Sequence, residues 1–233
     1  MSQNRAGKWA RRAVWITLAA VFTFGCNPLA TFSFLTNPEP FKDAQYPLDF
    51  KEGPKKGKEV VVAVFVTSAP GIGPVFAGSE AKLASEIAKK LPEMAKENNQ
   101  KLVVIEPSQV NQFKIKNPTW KQGMHPSTWG KKLNADFVLD IQLERMSLYQ
   151  AGSLNAIYEG QADVNVDVYD VDAGPAEPKY NYVHVFKYPS TGVLDASAIP
   201  VTRFKQDYLE HLAAEICRKH IRHKEAAGIG DYK

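Results

Sequence analysis

"EVVVAVFVT", residues 59–67, is a near-continuous run of apolar, mostly β-branched residues. Such side chains are stiff at χ1 and pack well on a pleated surface. A run without polar alternation reads as a central strand covered on both faces. A strand of that kind needs helices around it, so the neighbouring segments decide the fold class. "SAPGIGPVFAG", residues 68–78, is a turn. Beyond it Ser79 is placed to cap a helix whose Leu83, Ile87 and Leu91 recur at spacing four, with Pro92 expected to kink or end it. "KLVVIEP", residues 101–107, reads as a second buried strand, so strand, helix and strand predict a parallel pair with a right-handed crossover.

Downstream the period changes. A short helix is expected near 108–113, then a loop holding Pro118 and Pro126, then a short helix over 129–133. In "ADFVLDIQLERMSLY", residues 135–149, Phe137, Leu139, Ile141 and Leu143 share a face. In "AIYEGQADVNVDVYDVD", residues 156–172, the alternation is cleaner still. Tyr158, Gly160, Ala162, Val164, Val166 and Val168 lie on one side, and Glu159, Gln161, Asp163, Asn165 and Asp167 on the other. "KYNYVHVFKY", residues 179–188, is a fifth strand, and residues 201–222 form a last amphipathic helix with Phe204, Tyr208, Leu212 and Ile216 on one stripe. The expectation is a single α/β domain, tending to α+β: β-α-β-α-α-β-β-β-α with a mixed sheet of about five strands, parallel at its start and antiparallel later.

The chain has 233 residues and a formal charge of +4, which invites a nucleic-acid reading. The charge is local, however. Residues 1–25 contain Arg5, Lys8, Arg11 and Arg12 and no acid; without them 25 basic and 25 acidic residues remain. A neutral body offers no electrostatic footprint for a phosphate backbone, so no nucleic-acid partner is expected. The first 25 residues have the layout of a secretory signal: a basic start, twelve apolar or small residues over 13–24, then Gly25-Cys26. The apolar core is too short to span a bilayer. An uncleaved anchor over 13–35 would place Asn27-Pro28 near its middle, where both are unwelcome. "FTFGC" resembles a bacterial lipoprotein signal, which implies lipidation of Cys26, anchoring through that lipid, and export. Asn27 is not the aspartate that resembles an inner-membrane retention signal, so the expected address is the outer membrane, facing the periplasm. Residues 26–57, rich in proline and charge, read as the lipidated cysteine and its tether, 58–222 as the domain and 223–233 as a flexible tail. Of the two cysteines, Cys217 is then left alone in a helix, with a buried apolar role expected.

The run 59–67, the turn and helix after it, "WGKKLNADFVLDIQLERM" and "YEGQADVNVDVYDVD" together resemble a domain shared by bacterial envelope lipoproteins: the penicillin-binding-protein activator lipoproteins, the curli-secretion lipoprotein CsgG and the amino-terminal domain of TolB. The resemblance covers about residues 58–222 and rests on pattern. It implies a non-enzymatic interaction module on a lipid tether, its partner an envelope protein or peptidoglycan, in cell-wall synthesis or envelope assembly. The alternatives are an auxiliary subunit of a transport or secretion system and a tethered periplasmic hydrolase.

Chemical motifs are sparse. Gly71 and Gly73 lack the third glycine of a dinucleotide-binding turn, since position 76 is Phe. Ser79-x-x-Lys82 matches the S-x-x-K of penicillin-recognising enzymes, but a helix start with a solvated lysine accounts for it. His220 and His223, with His211 upstream, sit among Arg and Lys at a helix end, which suits the helix dipole better than a metal. No catalytic residue, metal or cofactor is expected. Contact residues for a partner are sought on the loop 117–129, at Trp120, His125 and Trp129, with burial under the sheet the equal alternative for these rings. They are sought also on the polar side of the strand at 156–171, at Asp163 and Asp167, where a plain solvated strand face is the default reading and a calcium site or acidic docking surface the other.

Overall fold

The computed structural model describes residues 41–48 and 58–224. Cys26, the signal segment, most of the tether and the tail from 225 lie outside the described residues. The order of elements is β1 (Phe41–Lys42), β2 (Val60–Ser68), a 3₁₀ turn (Pro74–Phe76), α1 (Ser79–Glu97), β3 (Leu102–Val104), α2 (Pro107–Lys116), α3 (Trp120–Gly123), α4 (Pro126–Leu133), β4 (Phe137–Tyr149), β5 (Ile157–Asp170), β6 (Tyr180–Tyr188), β7 (Leu194–Asp195), α5 (Val201–His220) and β8 (His223–Lys224).

The fold is mixed α/β. The main sheet runs β3-β2-β4-β5-β6, with β7 adding to the start of β5. β2 is parallel to both β3 and β4, while β4, β5 and β6 are successively antiparallel. β2, apolar from Val60 to Val66, is therefore an interior strand, as its composition requires. On one face α1 and α5 cover the whole width. Val62, Val64, Leu139, Ile141, Val164 and Val166 meet Leu83, Ile87 and Leu91 of α1 and Phe204, Tyr208, Leu212 and Ile216 of α5. On the other face α2, α3 and α4 cover only β2 and its neighbours, burying Ala63, Phe65 and Val138 under Val110, Phe113, Trp120 and Trp129. The molecule thus has three layers over β2 and two over β5 and β6.

Several expectations change. α1 runs through Pro92 to Glu97. The missing donor costs about 3 kcal/mol in a helix interior, but Leu91 and Ala95, both fully buried, hold the last turns to the core. Ser79 is the first helical residue and not the cap; Gly78, at φ 79°, turns the chain into α1 in the left-handed region where glycine has no Cβ penalty. β3 keeps only three residues, because the chain leaves the sheet at Ile105 to begin α2 at Pro107. The sixth strand, β7, has two residues and no alternation to betray it.

Residues 41–48, assigned from composition to the tether, are a strap on the domain. Phe41 and Lys42 pair with Lys224 and His223, so the start of the expected tail is also tied. Tyr46 N–H donates to Lys219 O at 2.8 Å and Leu48 N–H to His220 O at 3.3 Å. Leu48 is buried, and Tyr46 stacks on Tyr182 at 4.3 Å. A proline- and charge-rich stretch has no apolar period, so composition misses the buried Leu48 and the stacked Tyr46.

Candidate functional site

The uncovered face of β4, β5 and β6 carries rows of side chains fixed by register. Phe65, Asp140, Asp167 and Asn181 form one row, and Thr67, Gln142, Asn165 and Val183 the next. A register shift between Leu143 and Arg145 then brings Arg145 opposite Asp163, which lies beside Val185. Every second residue of β5 is core, so its polar partners must point to this face.

These groups are largely paired with one another. Arg145 bridges to Asp163 at 2.8 Å across the strands, and Lys187 to Glu159 at 2.8 Å. Asn181 donates to Asp167. Lys121, from α3, donates to Thr67 Oγ1 and Gln142 Oε1, both at 2.9 Å. Lys114, from α2, donates to Val66 O at 3.0 Å and lies over the rings of Phe65 and Trp120.

Asp140 stands where the helical cover stops and the open face begins. It is largely buried, and its Oδ1 has no hydrogen-bond partner. Burial pushes its pKa up to about 6; nearby Lys121 pulls it down, Asp167 pushes it up, and Lys114 pulls it down. Burial also lowers the pKa of Lys114, against the attraction of Glu80 and Asp140. A desolvated carboxyl among two lysines and a second carboxylate, at the rim of an open surface, makes this cluster the candidate site. On the far side of Lys114 a cavity of about 250 Å³ opens between α1 and α2, walled by Val64, Val66, Ala84 and Val110, with Glu80 and Asn111 at its polar end.

Of the residues singled out from the sequence, Asp163 and Asp167 lie half-buried on the open face as expected. Trp120 and Trp129 do not belong to an exposed loop. They pack edge to face at 4.5 Å beneath α3 and α4, each within about 5 Å of Phe65. Trp129 Nε1–H donates to Trp120 O and Met124 O. Two aromatics nine residues apart can look like a recognition loop, but here the unforeseen α3 turns both inward, and large rings bury more area than any other side chain nearby. His125 is the cap of α4: its Nδ1 accepts from Ser127 N–H at 3.3 Å, and its ring packs edge-on to Tyr169. The tryptophans and the aspartates are therefore not one site.

The histidines are equally dispersed. His211 bonds to Asp207 O, while His220 is buried between Tyr182 OH and Tyr46 O, each at 2.9 Å, and burial pushes its pKa down to about 4. Among the described residues no three His, Cys, Asp or Glu side chains group to hold a metal. Cys217 is buried and free, its thiol pushed up to about 12 by burial. Lys82 of the S-x-x-K match pairs with Glu86, and Ser79 Oγ is buried without a partner. Asp140 and Lys114 are the residues that sequence reasoning missed. The signal was present: Asp140 is the acid inside the apolar strand "FVLDIQL".

No family model matches the chain, and no curated protein matches it. Similar solved structures include the hypothetical protein CT253 from Chlamydia trachomatis, 18% identical over 68% of this chain and 96% of that one, with a TM-score of 0.42. A PelC dodecamer from Paraburkholderia phytofirmans is 11% identical over 70% and 89%, with a TM-score of 0.39. The lipoprotein GNA1162 from Neisseria meningitidis is 12% identical over 57% and 84%, with a TM-score of 0.38. Among the described residues no helix is long and apolar enough to cross a membrane.

Proposed function

We propose that this chain is a lipid-anchored bacterial envelope protein, held to the outer membrane through Cys26 and facing the periplasm, that acts without catalysis as an interaction module in cell-wall synthesis or envelope assembly. The observation that carries the reading is the half-covered sheet. One face is sealed by two helices, whereas the other presents an ordered set of hydrogen-bonding and charged groups from Asp140 to Asp163 on a rigid platform. Side chains held in mutual pairs cost little further ordering entropy when a polar partner exchanges with them. The basic start, short apolar core and "FTFGC" ending at Cys26 support the anchor. Two acyl chains give stable membrane attachment, and the tether raises the effective concentration of the open face at a neighbouring partner.

The test has two arms. Cys26→Ala should abolish incorporation of labelled fatty acid and leave the protein unprocessed or out of the membrane fraction; a processed, membrane-bound variant refutes the anchor. A photo-crosslinking residue at Asn165 should capture a discrete envelope protein or peptidoglycan fragments in cells, and one at Lys89 on the outside of α1 should not. Equal capture from both positions refutes the open face as the contact surface.

A further inference from the structure

β6 is the last strand of the main sheet, and its outer side is unpaired among the described residues. Long edge strands are templates for pairing, and they are ordinarily blunted by proline, bulges, shortness or charges. β6 has nine residues, no proline and no register shift against β5. On the open face it shows Asn181, Val183, Val185 and Lys187, with Val183 66% and Val185 73% exposed. Two β-branched apolar residues side by side in the middle of an unprotected edge cost solvation and gain nothing within the monomer.

We propose that β6 pairs antiparallel with β6 of a second copy of this chain, about a two-fold axis at His184. The register follows from the side chains. A pairing that keeps both helix layers on one side of the joined sheet must match odd with odd and even with even residues, because a one-residue slip turns every side chain to the other face. Centred on Val183, the strands set Asn181 against Val185 and Lys187 against Lys179, an unlike pair and a repulsion. Centred on Val185, they set Val183 against Lys187. Centred on His184, they set Val183 against Val185 twice and Asn181 against Lys187 twice. The other two registers match one valine with itself and leave the second against a polar residue; this one alone matches both valines of each strand with valines, and it leaves no like charges opposed. It also makes an isologous contact that closes at two copies.

His184 supplies an independent observation. Its ring lies on the helix-covered side, 9% exposed, and Nε2 is buried without a hydrogen-bond partner. A buried polar atom without a partner is costly and uncommon in a finished structure. On the axis the two His184 rings become directly opposed, at the side-chain spacing of a cross-strand pair, and each can supply the other's missing partner.

The experiment uses the full chain carrying Cys26→Ala, purified in detergent, so that neither a lipid nor a second accessible thiol contributes. Light scattering is expected to give twice the 25.9 kDa of the chain. Val183→Lys/Val185→Lys is expected to halve that mass while leaving the circular dichroism spectrum of the fold unchanged, since both positions are exposed in the single chain; the melting temperature falls only by what the lost association contributed. In the same background Val183→Cys mixed with Val185→Cys should form a disulfide-linked dimer faster than either variant alone. A monomeric parent, an assembly that survives the double lysine variant, or a fastest crosslink of Val183→Cys to itself would each overturn the pairing. The proposal is independent of the lipid anchor.

Discussion

Replacing Asp140 by asparagine should stabilise this protein, and by an amount that depends on pH. The carboxyl titrates near 6 in the folded chain against 3.8 ordinarily. That is about two pH units, or roughly 3 kcal/mol at ~1.4 kcal/mol per unit. The folded value is the higher one, so the unfolded chain loses its proton first. Folding is favoured most below about pH 4 and the advantage is lost as pH climbs to about 6, after which the cost is constant. Asparagine cannot ionise and escapes the whole of it. Urea titrations of parent and Asp140→Asn, followed by the fluorescence of the buried tryptophans, should separate the midpoints by about 1 M or more at pH 7, given slopes of a few kcal/mol/M. At pH 4 the two curves should nearly coincide. Comparison at each pH cancels every other titration in the molecule. A separation that is absent at pH 7, or equal at both pH values, refutes the argument that Asp140 is held charged against its surroundings. If the gain appears, the chain retains an acid that harms folding, which is the pattern of residues kept for activity.

His220 should behave in the opposite sense. Its pKa is driven down by burial to about 4 from 6.5, so the stability gained from the neutral ring is full above about pH 6.5 and lost as pH falls toward 4. His220→Leu should cost about 1–3 kcal/mol at neutral pH by stranding Tyr182 OH and the Tyr46 carbonyl, and the gap to the parent should narrow in acid. Trp129→Ala should cost about 3–5 kcal/mol as a core truncation; a neutral effect on unfolding would return this residue to the surface. At Gly160 an added Cβ would fall 2.4 Å from Tyr208 Cδ2. Gly160→Ala should therefore lower stability by about 1–3 kcal/mol, and Tyr208→Leu in the same chain should recover part of the loss, measured by thermal melting.

Legibility followed how local each determinant is. The alternation of β5 fixes its faces by itself, and β4, β6 and α5 follow from period alone. The stretches that misled are those whose fate is set by a distant contact. Trp120 faces inward because α3, a single turn, lies over Phe65, 55 residues earlier in the chain. Pro92 is tolerated because the residues around it are buried. Leu48 and Tyr46 pack against the end of α5, over 170 residues away. Asp140 is the instructive case. Strand period places it on the same face as Val138 and Gln142, but only the reach of α4 and α3 decides that Val138 is covered by Gly130, Gln142 is met by Lys121, and the carboxyl between them is largely buried.

The strap and β8 also make the described chain a closed circuit. Phe41 faces Lys224 directly across a two-stranded ladder, whereas Leu154, in the turn between β4 and β5, is 97% exposed. A short linker from Lys224 to Phe41, with new ends cut at that turn, would preserve every sheet pairing while reversing which half of the protein is synthesised first. The parallel core around β2 would then emerge last, after the β5-β6 hairpin, so the permuted gene would separate what the order of translation contributes to folding from what the contacts themselves require.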